Sequence, residues 1–140
     1  IGIGLSVPGL IELHRRHPNI SIVKDEGTLL DLARLSDAAG GSFTLLGGRN
    51  GVEMPDQMMA GCTGMIPSVE TCDIQSRIFE NLEAGRTEQG MAAFREILPL
   101  LQFLMTSVDH LMCYGTRLAA RRIGLGEVHD RGPRRRCPSA

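Results

Sequence analysis

Lys24 is the only lysine in the chain, against fourteen arginines, and it closes the apolar part of the stretch "NISIVKDEG". Arginine supplies every other basic side chain of the Lys/Arg type, so a single lysine here points to a property that arginine lacks. A lysine amine can shed its proton and attack a carbonyl carbon to form a Schiff base, whereas a guanidinium stays charged. Lowering the lysine pKa from about 10.4 to near 7 costs about 4–5 kcal/mol of solvation. An apolar floor beneath the ammonium can impose that cost by desolvation. If Asn19 to Asp25 is a strand, Ile20, Ile22 and Lys24 share one face, and the two isoleucines supply the floor. A strand-end lysine leaning into solvent is the plain alternative.

Two further stretches could bring backbone close to a ligand. "GGRNG", Gly47 to Gly51, joins glycines that permit close approach to amides that can hold an anion, although a tight strand-to-helix turn reads the same way. In "GCTGMIP", Gly61 and Gly64 flank a short segment that ends in Ile66 and Pro67. Among the charged neighbours, Asp25 faces the side opposite Lys24 and suits a capping or ion-paired role. Glu26 shares the lysine's side and enters the loop. Arg49 could grip a carboxylate with two parallel donors or stand solvated. Glu70 reads as a helix-start charge or as a rim residue. His110, His129 and Asp130 pair with no nucleophile and are read as structural.

The elements that position these residues follow from caps and periodicity. Ser6 is a fitting N-cap, Pro8 suits a first turn, and Leu10, Ile11 and Leu13 form an apolar face that stops at "HPN". "ISIVKD" reads as a short buried-type strand. Thr28 then caps "LLDLARLSDAA", which Gly40 and Gly41 end. "SFTLLGG" is a second strand, "VEMPDQMMAG" a helix closed by Gly61, and "TGMIP" a third strand. Strands alternating with helices through short connections predict a parallel sheet with right-handed crossovers. Beyond Pro67 only helical stretches follow: "CDIQSRIFENLEAG", "TEQGMAAFREILPLLQFLMTSV" and "DHLMCYGTRLAARRIG". Met91, Phe94, Ile97, Leu98 and Leu101 keep the helical period, with Pro99 as a kink.

Composition bounds the rest. With 140 residues, 42% apolar and 22% charged, the chain is about one folded domain and too apolar for disorder. A formal net charge of −1 gives no electrostatic case for nucleic acid or an anionic membrane. The Arg134–Arg136 cluster lies in a Gly/Pro-flanked tail and reads as a frayed terminus. Cys62, Cys72, Cys113 and Cys137 form no CxxC pair and no metal spacing, and are expected as reduced thiols of a cytoplasmic protein. No apolar run approaches the roughly 18 residues of a membrane span. The chain opens on Ile1 rather than Met, and both ends look cut, so a larger protein is expected.

Taken together, "HPNISIVKDEG", "LLGGRNGVEMPDQMMAGCTGMIPSVE" and "GMAAFREILPLL" resemble the dihydrodipicolinate synthase / N-acetylneuraminate lyase superfamily, from Ile1 to about Pro133. The resemblance implies strands six to eight of a (β/α)8 barrel plus a C-terminal helical extension. Residues 1–70 would be the partial barrel, 71–125 helix eight and the extension, and 126–140 an irregular tail. It implies that Lys24 is the Schiff-base lysine, that Gly47 or Gly48 is the glycine after strand seven, and that Ile66 turns its backbone to a 2-oxo acid. The activity implied is a class I lyase or aldolase acting on pyruvate or a relative, without metal or organic cofactor, in a homo-oligomer when full length. Dehydration of a sugar acid through the same iminium, or noncatalytic anion binding, are the rival readings. The family's strand-two carboxylate loop and strand-five tyrosine have no counterpart, and Tyr114 in the extension is no substitute. Pro67 replaces a small polar residue common in the family. On these grounds the isolated chain is expected to associate and to lack turnover.

Overall fold

The structure is a computed structural model and describes residues 4–129. The readings placed on Asp130, Pro133, Arg134–Arg136 and Cys137 lie outside the described residues. The chain divides into two compact units, one taking it up to Gly48 together with Glu53–Ile66, the other Arg49–Val52 and the chain from Pro67 onward.

In the first unit, α1 (Val7–Arg16) begins where Ser6 Oγ accepts the Gly9 N–H at 3.3 Å, and Pro8 stands in the first turn, where no backbone donor is needed. It ends at His17, whose N–H reaches the Leu13 carbonyl. α2 (Leu29–Ala39) is capped by Thr28 Oγ1, which accepts the Asp31 N–H at 3.1 Å, and stops at Gly40 in the left-handed region at φ 53°. Between and after these helices run β1 (Ile22–Asp25), β2 (Thr44–Gly47), α3 (Met54–Met59) and β3 (Gly64–Met65). The strands are shorter than the apolar runs suggest, but they pair in parallel in the order β1-β2-β3, with Lys24 opposite Leu46 and Leu46 opposite Gly64. The expected α/β alternation with a parallel sheet is therefore present.

Alternation sends successive side chains to opposite faces of this sheet. One face lies on helices, where Leu32, Leu35, Phe43, Leu45 and Cys62 form a core joined by Val7, Leu10, Ile11 and Val23. The other face carries Ile22, which is 63% exposed, with Lys24 and Thr44 also exposed. The expectation of a buried strand at Ile20–Asp25 is corrected here. Only its Val23 side is covered, because the helices of this unit pack against that face of the sheet.

The second unit consists of helices. α4 (Cys72–Glu83) and α5 (Thr87–Leu104) approach closely where Gly90 lacks a side chain; a Cβ there would lie 2.7 Å from Leu82 Cδ2. Ile78, Phe94, Ile97, Leu101 and Leu104 are buried, so the expected apolar stripe of α5 faces a core. α5 continues past Pro99 as one helix, although proline offers no N–H to the Arg95 carbonyl. The last stretch is α6 (Val108–His110), a π-helical turn over Leu111–Gly115, and α7 (Thr116–Ile123). His110 packs against the rings of Phe103 and Tyr114 at 5.2 and 5.6 Å. Among the described residues Cys62 and Cys72 are free thiols, the first buried and the second exposed. Among the described residues no helix is long and apolar enough to cross a membrane by itself.

Candidate functional site

Lys24 occupies the third position of β1, on the face away from the helices, near the strand's C-terminal end. Its Nζ lies 2.8 Å from Glu26 Oε1, with the two side chains 42% and 56% exposed. The expected ammonium desolvated over isoleucines is corrected by this geometry, since Ile22 is itself exposed and a carboxylate neutralises the charge. An exposed pair of this kind contributes about 0–1 kcal/mol to stability, so its interest is chemical.

Asp25 takes the opposite face, as alternation requires, and its Oδ2 accepts the Gly27 N–H at 3.2 Å. Burial is the main cause that raises its pKa. Cys62, in the core of the same unit, is pushed up to about 11 by burial first and then by the Asp25 charge. Neither group faces the lysine's side of β1.

The two glycines after β2 serve different neighbours. A Cβ on Gly47 would fall 2.6 Å from Met65 Sδ and against Gln57, so Gly47 leaves room on the helix side. A Cβ on Gly48 would meet the Asp25 carbonyl at 2.8 Å and Glu26 Oε1 at 2.9 Å. Gly48 is thus the one beside the Lys24–Glu26 pair. Its N–H is already given to the Asp25 carbonyl at 2.9 Å, so its donor is taken by the backbone and the space over it by Glu26. Ile66, just beyond β3, donates its N–H to the Gly47 carbonyl at 2.9 Å and exposes 42% of its surface. Gly64 gives space to Leu46, whose Cδ2 would lie 2.7 Å from an added Cβ.

Sequence reasoning placed Lys24 and Glu26 on one side but missed their pairing and missed that Gly48 makes room for the glutamate. The signal was the i,i+2 spacing, which keeps two strand residues on one face.

A second feature lies wholly in the other unit. Arg49 and Asn50 hold left-handed φ values of 52° and 53°, followed by Gly51 at 74°. Asparagine visits this region more readily than most residues, because its short polar side chain bonds locally. Asn50 is buried, receives the Ser68 N–H at 2.8 Å, and donates to Glu70 Oε1 at 3.0 Å. Gln75 Nε2 reaches the Asn50 carbonyl and Thr71 Oγ1 at 3.0 and 2.9 Å. Arg122 on α7 bonds the Glu70 carbonyl and grips both Asp73 oxygens at 2.9 and 2.8 Å. Glu70, read from sequence as a helix-start or rim charge, is a buried brace of this turn. Among the described residues no group of three His, Cys, Asp or Glu side chains could hold a metal ion.

Parallel β–α units with an amine at a strand's C-terminal end occur both in α/β barrels and in doubly wound sheets. Solved structures specify which. Dihydrodipicolinate synthase from Rhodopseudomonas palustris matches with a TM-score of 0.80 and 18% identity over 92% of this chain. A candidate dihydrodipicolinate synthetase from Pseudomonas aeruginosa matches at 0.75, 22% and 94%. A candidate dihydrodipicolinate synthase family protein from Coccidioides immitis matches at 0.72, 20% and 90%. The chain covers only 44%, 45% and 42% of these structures in turn, less than half of each. The fold is thus that of part of a dihydrodipicolinate synthase-type barrel, as the sequence resemblance implied. No protein-family model and no curated protein matches the chain.

Proposed function

We propose that this chain carries the Schiff-base half of a class I lyase or aldolase that acts on pyruvate or a related 2-oxo acid. The observation that carries the reading is the sole lysine of the chain, seated at the C-terminal end of β1 in a fold shared with dihydrodipicolinate synthase. β1, β2 and β3 are assigned as the sixth, seventh and eighth strands of the barrel. Lys24 attacks the ketone carbon, water leaves, and the iminium withdraws electrons from the bond to be made or broken. Gly48 leaves the space in which Glu26 stands beside the lysine, with Gly47 behind it, and the Ile66 turn bounds the far side. Full turnover belongs to a protein that supplies the remaining strands, in a homo-oligomer, whereas iminium formation needs only Lys24 and its neighbours.

The test is reductive trapping. Pyruvate with borohydride should mark the Lys24 peptide of the folded chain at least about tenfold faster than that of the urea-unfolded chain, a modest share of what positioned catalytic groups supply. Lys24→Arg should abolish the adduct and leave the fold intact. Equal marking of folded and unfolded chains would refute the proposal.

A further inference from the structure

We propose that Glu26 is the proton acceptor and donor for Lys24, a role that rests on the Schiff-base reading above. Attack on a carbonyl requires a proton to leave Nζ, and Glu26 Oε1 is within hydrogen-bond range of it at 2.8 Å. Asp25, the adjacent acid, is turned to the other face and accepts the Gly27 N–H. The glutamate is held by its surroundings as well as by charge, because it occupies the space that any side chain at position 48 would fill. Lysine, carboxylate and the glycine notch therefore form one arrangement within the first unit.

The proton inventory closes on these groups. The Lys24 ammonium passes one proton to the Glu26 carboxylate, and the freed nitrogen pair forms the C–N bond while the carbonyl π pair moves to oxygen. A second nitrogen proton moves to that oxygen and gives the neutral carbinolamine. Glu26, now a carboxylic acid, returns its proton to the hydroxyl. The C–O bond breaks as the nitrogen pair forms the iminium, and water departs. Ammonium plus ketone has become iminium plus water, with Glu26 again a carboxylate.

Two reactions at Lys24 separate this role from that of a bystander charge. Acetylation by acetic anhydride needs only a free amine. Iminium formation also needs the carbinolamine to lose water, the slow step at neutral pH. In the intact chain, Glu26→Gln should slow iminium formation at least about tenfold with pyruvate and with formaldehyde, each trapped by cyanoborohydride and mapped to the Lys24 peptide. Acetylation of Lys24 should not slow, and Glu26→Asp should recover part of the loss. Unchanged far-UV circular dichroism establishes that the variants fold. A bystander carboxylate predicts the reverse: its removal frees the amine, and both reactions speed up. Unchanged or faster iminium formation in Glu26→Gln would overturn the proposal. If the folded wild-type chain shows no pyruvate advantage over the unfolded chain while formaldehyde still reports the loss, the 2-oxo acid reading fails and the proton role stands.

Discussion

The two faces of the three-stranded sheet are made from alternate residues of the same strands, yet they do opposite work. Val23 and Leu45 point to helices and join a buried core, while Ile22 and Lys24 point to solvent. Stability is concentrated on the first face and reactive groups on the second. Chemistry can therefore be altered on the open face at little cost to folding, and the reverse holds for the core.

The largest effect that would break this contrast is a core deletion. Leu45→Ala should destabilise the chain by about 2–5 kcal/mol in urea unfolding, whereas Ile22→Thr on the open face should stay within about 0.5 kcal/mol. Similar losses for both would mean that the open face is covered. Next in size is the brace of the second unit. Asn50→Ala leaves the Ser68 N–H and the Glu70 carboxylate without their partner and should cost about 1–3 kcal/mol, with no effect on acetylation at Lys24.

Gly48→Val sharpens the comparison from the reactive side. Its Cβ would collide with the Asp25 carbonyl and Glu26. Iminium formation should fall by about tenfold or more as Glu26 is displaced, with a stability loss of about 1–3 kcal/mol from overpacking.

These particulars also show what could be read in the sequence. Ser6, Thr28 and Gly40 announce helix boundaries because a cap is a local hydrogen bond between near neighbours. The parallel order follows from the alternation of elements. The exposure of Ile22 was not legible, since apolar alternation predicts a side that should be covered and cannot say whether a covering layer is present. Which of Gly47 and Gly48 adjoins the lysine was hidden for another reason: each glycine is defined by a neighbour distant in sequence, Gln57 for one and Glu26 for the other. Asn50, Glu70, Gln75 and Arg122 likewise meet only through folding.

The smallest expected effects are titrations. The Cys62 thiol, raised from 9.0 to about 11, favours the fold below pH 9, and that contribution is lost as the pH climbs through 11. Iodoacetamide at pH 8 should modify Cys72 well before Cys62. Asp73 is held below its ordinary 3.8, mainly by its hydrogen bond to Arg122, so its contribution is present above pH 3.8 and disappears as the pH falls through the lowered value. Asp73→Asn should flatten that acid limb of a stability profile, and an unchanged slope would show that the pair does not operate in solution.

The central claim, that the open face carries a reactive lysine, is tested most directly by the rate at which pyruvate and borohydride label the Lys24 peptide in the folded and the unfolded chain. The account predicts labelling at least about tenfold faster in the folded chain, at the wild-type lysine and not at an arginine in its place. Equal rates in the two states would make Lys24 an ordinary surface amine and contradict the account.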